Sequence, residues 1–345
     1  MDAVANDIAA ADIAAMDNIT HTLTGLAMSR AGLNRYYKHA TALLIVAANA
    51  PDADVVTLTR GPFEYFRYHR AITHSLVAAP VLALVVALLF CAIDRSWRNL
   101  GAGFLLAVAG VASHLLLDWT NAYGVRFLLP FSGNWYSLDW TNVFDVWIWA
   151  ILILAAVAPY VGRLVSSEVG SRSKGSGRGL AIFALAFLAL YDAGRGIIHQ
   201  RALATLESRV YDGVPPLRAG LLPGAANPLA WGGLVETPVT VRRYRIDLLE
   251  SFDPDSGETL QKPEMSAAIA AAARLPEFRA LLGFSKFPLW SVVPVPQPEG
   301  GVRVEVRDMR FGFAADTLVD TNNHAGGATF RFIPQNRSNS SSRGN

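Results

Sequence analysis

Seven residues of two ligand types recur in short clusters over the first third of the chain. They are His21 in NITHTLTG, Asp52 and Asp54 in NAPDAD, His69 and His74 in YHRAITHS, and His114 with Asp118 in SHLLLDW. Imidazole and carboxylate are the donors of Zn, Mn and Fe sites, and a carboxylate such as Asp52 can bridge two ions while histidines hold each from outside. Water on such an ion becomes hydroxide near neutral pH, and a pair of ions can stabilise both the attacking and the leaving oxygen of a phosphoester displacement. The expected cofactor is therefore one or two divalent ions, zinc first, with manganese or iron as the other choices.

The spacing of the clusters supports this chemistry. His114 and Asp118, at i and i+4, share one face of a helix, and Pro51 ends the segment before it so that Asp52 and Asp54 stand at its terminus. Arg70, between the two histidines of YHRAITHS, carries the planar fork that matches a pair of anionic oxygens. Asp52, Arg70 and Thr73 are the candidate catalytic residues, and Thr20, Thr73 and Ser75 are placed to orient ligands or substrate. Each cluster alone has a plainer reading. A boundary histidine is commonly an interfacial polar group, and Asp-x-Asp after a proline is a common helix-ending turn. Their joint occurrence carries the weight, because ionisable groups at membrane depth cost several kcal/mol and are usually functional.

The elements that must position these residues are apolar. The chain has 345 residues, 52% of them hydrophobic and only 17% charged, beyond the norm for a soluble protein. Four stretches reach the roughly 20 apolar residues a spanning helix needs: about 75–93, 99–118, 143–162 and 179–198. Two shorter Ala-rich helices, 18–31 and 39–50, precede them and would reach only ~20 Å. The predicted fold is mainly α: a polytopic helical membrane bundle of about four spanning helices plus two short N-terminal helices, followed by a small β-rich soluble domain.

The domains expected are a disordered extension at 1–15, the membrane-embedded metal-site domain at 16–200, a soluble β-rich domain at 201–335 and a disordered tail at 336–345. The Gly/Ser-rich segment 166–179 reads as a flexible loop. In the β-rich region TVRRYRIDLLE, VRVEVRDMRFGF and ATFRFIP alternate as strands do. The first fifteen residues lack the basic region of a secretory signal. A net charge of +2 against 28 acidic residues, with no basic, aromatic-laced run, argues against nucleic acid as a partner. The one cysteine, Cys91, excludes an intrachain disulfide and a thiolate cluster.

Loops 30–38, 94–98 and 163–178 share one side if connections alternate, and they are rich in Lys and Arg. That side is expected to be cytoplasmic. The metal site and the C-terminal domain then face outward from the cytoplasmic membrane of a bacterium, although Arg60, Arg67 and Arg70 on that outer side run against the rule. His39 falls at the opposite end, and His199 and His324 lie late in the chain. Asp192 and Arg195 read as a neutralising i, i+3 pair. Asp139 and Asp145 are possible supports for the ligands, and Trp135, Tyr136, Trp140 and Trp147 form an interfacial aromatic belt.

The ordered motifs MDNITHTLTG, APDAD, YHRAITHS and SHLLLDWTNAYG, over residues 16 to about 200, resemble the YdjM-like family of bacterial inner-membrane proteins, described as membrane-bound metal-dependent hydrolases. That family is more distantly similar to zinc-dependent phospholipase C, a helical enzyme. The resemblance implies His21, Asp52, His69 or His74, and His114 with Asp118 as metal ligands, with Asp54 less firmly placed, and phosphoester hydrolysis as the reaction. The expected substrate is a membrane lipid or another amphiphilic phosphoester. The alternative is a non-enzymatic protein whose metal is held for passage or envelope signalling. Passage would call for polar residues through spans two to four, and apart from Asp192 and Arg195 these are nearly bare. A third reading makes the metal structural, with the β-rich domain binding a partner.

Overall fold

The computed structural model describes residues 18–168, 177–297 and 299–332. The extension 1–15, the tail 336–345 and most of the loop 166–179 lie outside the described residues. The described residues divide into two compact units, one holding 18–237 together with 242–258, the other 238–241 and those from 259 onward.

In the first unit, α1 (18–30) leads into α2 (Ala40–Asn49). Pro51 offers no backbone N–H, and after it the chain tightens to a 3-10 helix over Pro51–Arg60, bent by 50° from α2. Gly61, at φ 106°, turns the chain into α3 (Pro62–Tyr68). A 3-10 turn at Ile72–His74 follows, then α4 (Ala78–Asp94), which lies at 81° to the segment before it. The stretch 75–93, expected to span as one helix, is shortened by this bend. Ser75 makes the turn, its hydroxyl accepting the Ala78 N–H at 3.1 Å as a cap does. The remaining 17 residues of α4 reach ~25 Å, short of the ~30 Å hydrocarbon core.

Three long helices complete the bundle: α5 (Leu100–Thr120), α6 (Val146–Glu168) and α7 (Arg178–Glu207). Among the described residues, three stretches are long and apolar enough to cross a bilayer: Trp97–Thr120, Val146–Leu164 and Arg178–Glu207. The number rises to five if each bent pair forms one span, and the expected four lies between these bounds.

Small residues set the spacing of the bundle. A Cβ on Gly110 of α5 would stand 2.7 Å from Ala47 Cβ and 3.2 Å from Leu44 O, and one on Gly25 of α1 would stand 2.9 Å from Leu44 O. The α2 backbone is thus clasped between α1 and α5. Leu43, Leu44, Ala47, Ala83, Phe90, Leu106, Ala107 and Val111 fill the core of α2, α4 and α5. Ala27, Ile148, Leu152 and Leu188 join α1, α6 and α7. Pro159 inside α6 withdraws the N–H that would bond the Ala155 carbonyl. The Nη1 of Arg30 supplies that bond from α1, at 2.9 Å to Ala155 O and 2.7 Å to Ala156 O.

Helix α7 runs to Glu207, so strands begin later than the sequence suggests. Strands β1 (Arg218–Pro223), β2 (Ala230–Glu236), β3 (Thr240–Asp247) and β4 (Glu258–Gln261) lie in the order β1-β2-β3-β4. Trp231, Val235 and Leu221 pack with Ala202 and Leu206 of α7. In the second unit, α8 (Ala267–Ala272) and α9 (Pro276–Phe284) precede β5 (Pro288–Pro294), β6 (Val302–Asp308), β7 (Phe313–Val319) and β8 (Thr329–Phe332), an antiparallel sheet in chain order. The segments read as strands from alternation fall on β3, on β6 with the start of β7, and on β8.

Candidate metal centre

Four local devices bring the expected ligands together. His21 lies on the first turns of α1. Asp52 and Asp54 open the 3-10 helix that Pro51 enforces. His69 ends α3 and His74 ends the next 3-10 turn, the chain reversing between them through Arg70 at φ 53°. His114 and Asp118 lie one turn apart on α5. All seven are buried, and their donor atoms form three overlapping groups: His21, Asp52 and His114; His74, His114 and Asp118; Asp52, Asp54 and His69.

Hydrogen bonds decide which way the imidazoles point. The Nδ1 of His114 lies 2.7 Å from the Ala48 carbonyl, which can only accept, so this nitrogen carries the proton and Nε2 of the neutral ring is a bare lone pair. Thr73 donates its hydroxyl to Asp54 Oδ2 at 3.1 Å and therefore accepts from His74 Nδ1, also at 3.1 Å. With the ring neutral, Nε2 of His74 is the acceptor nitrogen in the same way. These two nitrogens face each other at 3.0 Å. Two neutral rings so oriented repel, and a shared proton or a metal ion between them relieves it.

Carboxylate oxygens complete the cluster. Asp118 Oδ2 lies 3.3 Å from His74 Nε2 and 3.2 Å from His114 Nε2, and Asp52 Oδ1 lies 3.3 Å and 3.6 Å from the same two atoms. Ligands at zinc-like bond lengths in tetrahedral array stand roughly 3.3–3.5 Å apart, so the donor set has the spacing of a small divalent ion's ligands. Neither oxygen of Asp52 accepts a hydrogen bond, nor does Asp118 Oδ2. Buried carboxylate oxygens are ordinarily satisfied. The set fits a metal on both counts, and these buried His and Asp groups could hold one.

His21 stacks on His114 with ring centroids 3.7 Å apart, its Nε2 3.4 Å from Asp118 Oδ1. His69 donates through Nδ1 to Asp54 Oδ1 at 3.0 Å. Both terminal nitrogens and the backbone of Arg70 have protein partners: Nη2 lies 3.0 Å from Asp118 Oδ1, Nη1 bonds Asn121 Oδ1 at 3.1 Å, and its backbone N–H reaches Asp54 Oδ2 at 2.9 Å. It is 1% exposed and lies over the Tyr123 ring. Thr20 receives the Trp149 indole N–H at 2.9 Å instead of facing a ligand.

The lesser candidates divide. Asp145 accepts from the Trp147 and Ile148 amides and from the Tyr191 hydroxyl, a cap on α6. Burial pushes its carboxyl above the ordinary value, partly offset by those bonds. The Arg195 guanidinium donates to the Trp140 and Pro228 carbonyls and lies 4.0 Å from the Trp231 ring centroid, and Asp192 acts on it through charge. His39 bonds Asp94 at 2.5 Å, away from the cluster, and His324 is exposed in a loop.

Asn121, Tyr123 and Tyr65 escape a reading by ligand type. Asn121 Oδ1 accepts from Arg70 and from the amides of Tyr123 and Gly124. Tyr123 meets His69 edge-on at 5.7 Å, and Tyr65 stacks on it at 4.6 Å. The signal for the first two was their place directly after SHLLLDW. The cluster is most nearly open at one edge: Asp52 and Asp54 are 7% exposed and His69 6%, whereas His74, His114 and Asp118 are 0%.

With the geometry in hand, known proteins give a consistent answer. The sequence profile described as YdjM inner membrane protein matches residues 16–202, which include all seven ligand candidates and end within α7. The chain belongs to the YdjM inner membrane protein family. Membership in that family and the long apolar helices make it a membrane protein. It is 33% identical over 153 residues to "Uncharacterized protein YfhP" of Bacillus subtilis (strain 168), across 41% of this chain and 46% of that protein. The chain thus spans less than half the length of this curated relative. No solved structure matches it.

Proposed function

We propose that this member of the YdjM family is a membrane-bound metal-dependent hydrolase that cleaves an amphiphilic phosphoester, with a phospholipid as the leading substrate class. The observation that carries the reading is the approach of His74 Nε2 and His114 Nε2 to 3.0 Å beside carboxylate oxygens that accept no hydrogen bond. The ion is zinc, with manganese or iron as alternatives, held by His74, His114, Asp118 and Asp52; His21 and the Asp54–His69 pair stand ready for a second. A bound ion of this kind supplies a hydroxide at neutral pH and a Lewis acid for a phosphoryl oxygen.

The chain's own residues have separable parts in this scheme. Ala48 O and Thr73 fix the imidazole tautomers. Arg70 and Asn121 hold Asp118 in place, so Arg70 positions a ligand and leaves the substrate to another group. The least buried side of the cluster, at Asp52, Asp54 and His69, is where a substrate enters, and the exposed Val55, Val56, Tyr68 and Ile72 beside it suit an acyl chain. By the positive-inside rule this edge faces away from the cytoplasm.

The test is metal content by mass spectrometry on detergent-purified protein, wild type beside His74→Ala and Asp118→Ala. Near-stoichiometric metal in the wild type that falls in both variants supports the centre and justifies screening phospholipids. A wild type that is metal-free and takes up no added ion sinks the reading.

A further inference from the structure

Arg70 is committed to Asp118 and Asn121, which leaves a substrate's charge without an obvious partner in YHRAITHS. A different arginine stands at the open edge. Arg126, six residues beyond the last helical residue of α5, bonds its backbone N–H to Arg70 O at 3.3 Å, which ties it to the turn between His69 and His74. Its guanidinium lies over the Trp135 ring, 4.8 Å from the centroid. Trp135 meets Tyr123 edge-on at 5.7 Å, and Tyr123 meets His69 at the same distance. Arg126, Trp135, Tyr123 and His69 are thus one continuous wall leading to the least buried side of the cluster.

The partners of this guanidinium are notable for what they lack. Nη2 donates to the Arg67 carbonyl, Nε is buried and bonds nothing, and no carboxylate forms an ion pair with it among the described residues. Burial lowers its pKa, and the groups that pull it back are Tyr123 and then Asp54, the cluster carboxylate at the open edge. A part-buried cation without a counter-ion is costly, and a guanidinium fork is the group best shaped to bind two phosphate oxygens. Arg67, whose carbonyl Arg126 holds, is itself exposed and adds positive charge beside it.

We propose that Arg126 is the substrate-binding cation of this protein and receives an anionic phosphoryl group, with Trp135 bracing the guanidinium from behind. The assignment deepens the hydrolase reading and rests on it for the placement of substrate at the cluster. It also accounts for arginines on the side where the positive-inside rule expects few: Arg70 braces Asp118, while Arg126 and Arg67 attract the substrate's charge.

The experiment is calorimetric titration of the full chain in non-ionic detergent with monomeric dihexanoyl phosphatidic acid, dihexanoyl phosphatidylcholine and inorganic phosphate. Wild type is compared with Arg126→Gln, Arg126→Lys and, as a control at the other end of α5, Arg98→Gln, with metal content measured in every sample. The wild type should bind phosphatidic acid at least tenfold more tightly than phosphatidylcholine. Arg126→Gln should lose that preference, Arg126→Lys should keep part of it, and Arg98→Gln should keep all of it. Metal content should not change across the series. Affinity for inorganic phosphate equal to that for phosphatidic acid supports the assignment with a soluble phosphate as the source, and tighter lipid binding supports it with a headgroup. Unaltered binding by a metal-replete Arg126→Gln, or equal loss in Arg98→Gln, overturns it. A metal-free wild type that still shows the Arg126-dependent preference would remove the hydrolase reading and leave the anion site standing.

Discussion

The proton on one ring nitrogen of His114 is set by the backbone of a neighbouring helix: Nδ1 donates to Ala48 O at 2.7 Å, and the approach that allows it is made by Gly110 one turn earlier, where a Cβ would stand 2.7 Å from Ala47 Cβ. Packing between α2 and α5 and the ligand field of the cluster are therefore one design. Gly110→Val should part the helices, costing about 1–3 kcal/mol of stability as overpacking does, and should lower metal affinity although every ligand remains. Thermal unfolding and metal titration of the same preparation check both effects; intact affinity in a destabilised variant would separate packing from ligand orientation.

Thr73 relays between His74 Nδ1 and Asp54 Oδ2 at 3.1 Å each. Its replacement by Val keeps the shape and removes the relay, and loss of such a supporting bond typically costs 10–100-fold in metal affinity. Thr73→Ser should recover most of it. Competition with a chromogenic chelator gives the number, and a Val variant that binds as the wild type does would show that His74 needs no relay.

Arg70 and Asp118 form a buried ion pair at 3.0 Å, and removing one partner of such a pair strands the other charge. Arg70→Ala should destabilise the protein by about 3–5 kcal/mol, read from equilibrium unfolding in detergent. The loss should shrink when metal is present in excess, because an ion takes over the neutralisation of Asp118. An equal loss with and without metal would argue against Asp118 as a ligand.

Arg30 and Pro159 meet through the Ala155 carbonyl. Arg30→Met leaves that carbonyl unbonded in an apolar setting, a cost of about 1–3 kcal/mol. Adding Pro159→Ala restores the helix's own N–H donor and should return most of it. The double-mutant cycle measures the coupling directly, and simple additivity of the two changes would refute it.

The clustered His and Asp residues were readable because they carry their chemistry in their side chains and sit at helix ends, where proline, a short turn or an i, i+4 spacing announces them. Asn121 was not, since its work is to accept two backbone amides and the Arg70 fork, a role that no residue type advertises. The sense of Arg70 failed for a related reason: a guanidinium in a histidine motif reads the same whether it faces a ligand or the carboxylate of another helix. The segment 75–93 was read as one straight span because hydropathy counts residues and not direction, while Ser75 and the preceding 3-10 turn take up the bend. In the C-terminal region, strands with strict alternation such as β6 were legible. Strand β2, AWGGLVE, is buried along both faces of its second half, so it lacks the period that marks a strand.

The centre draws on α1, the Pro51–Arg60 segment, the two turns around Arg70, and the last turns of α5. During synthesis, His21, Asp52, Asp54 and His74 enter the bilayer before Asp118 has left the ribosome, so for that interval the nascent chain carries polar groups whose partners do not yet exist. The fifth helix is the piece that closes the set. A chain stalled or truncated before it holds an incomplete set of donors, with Asp52 and His74 still lacking the His114 and Asp118 partners that only this helix brings.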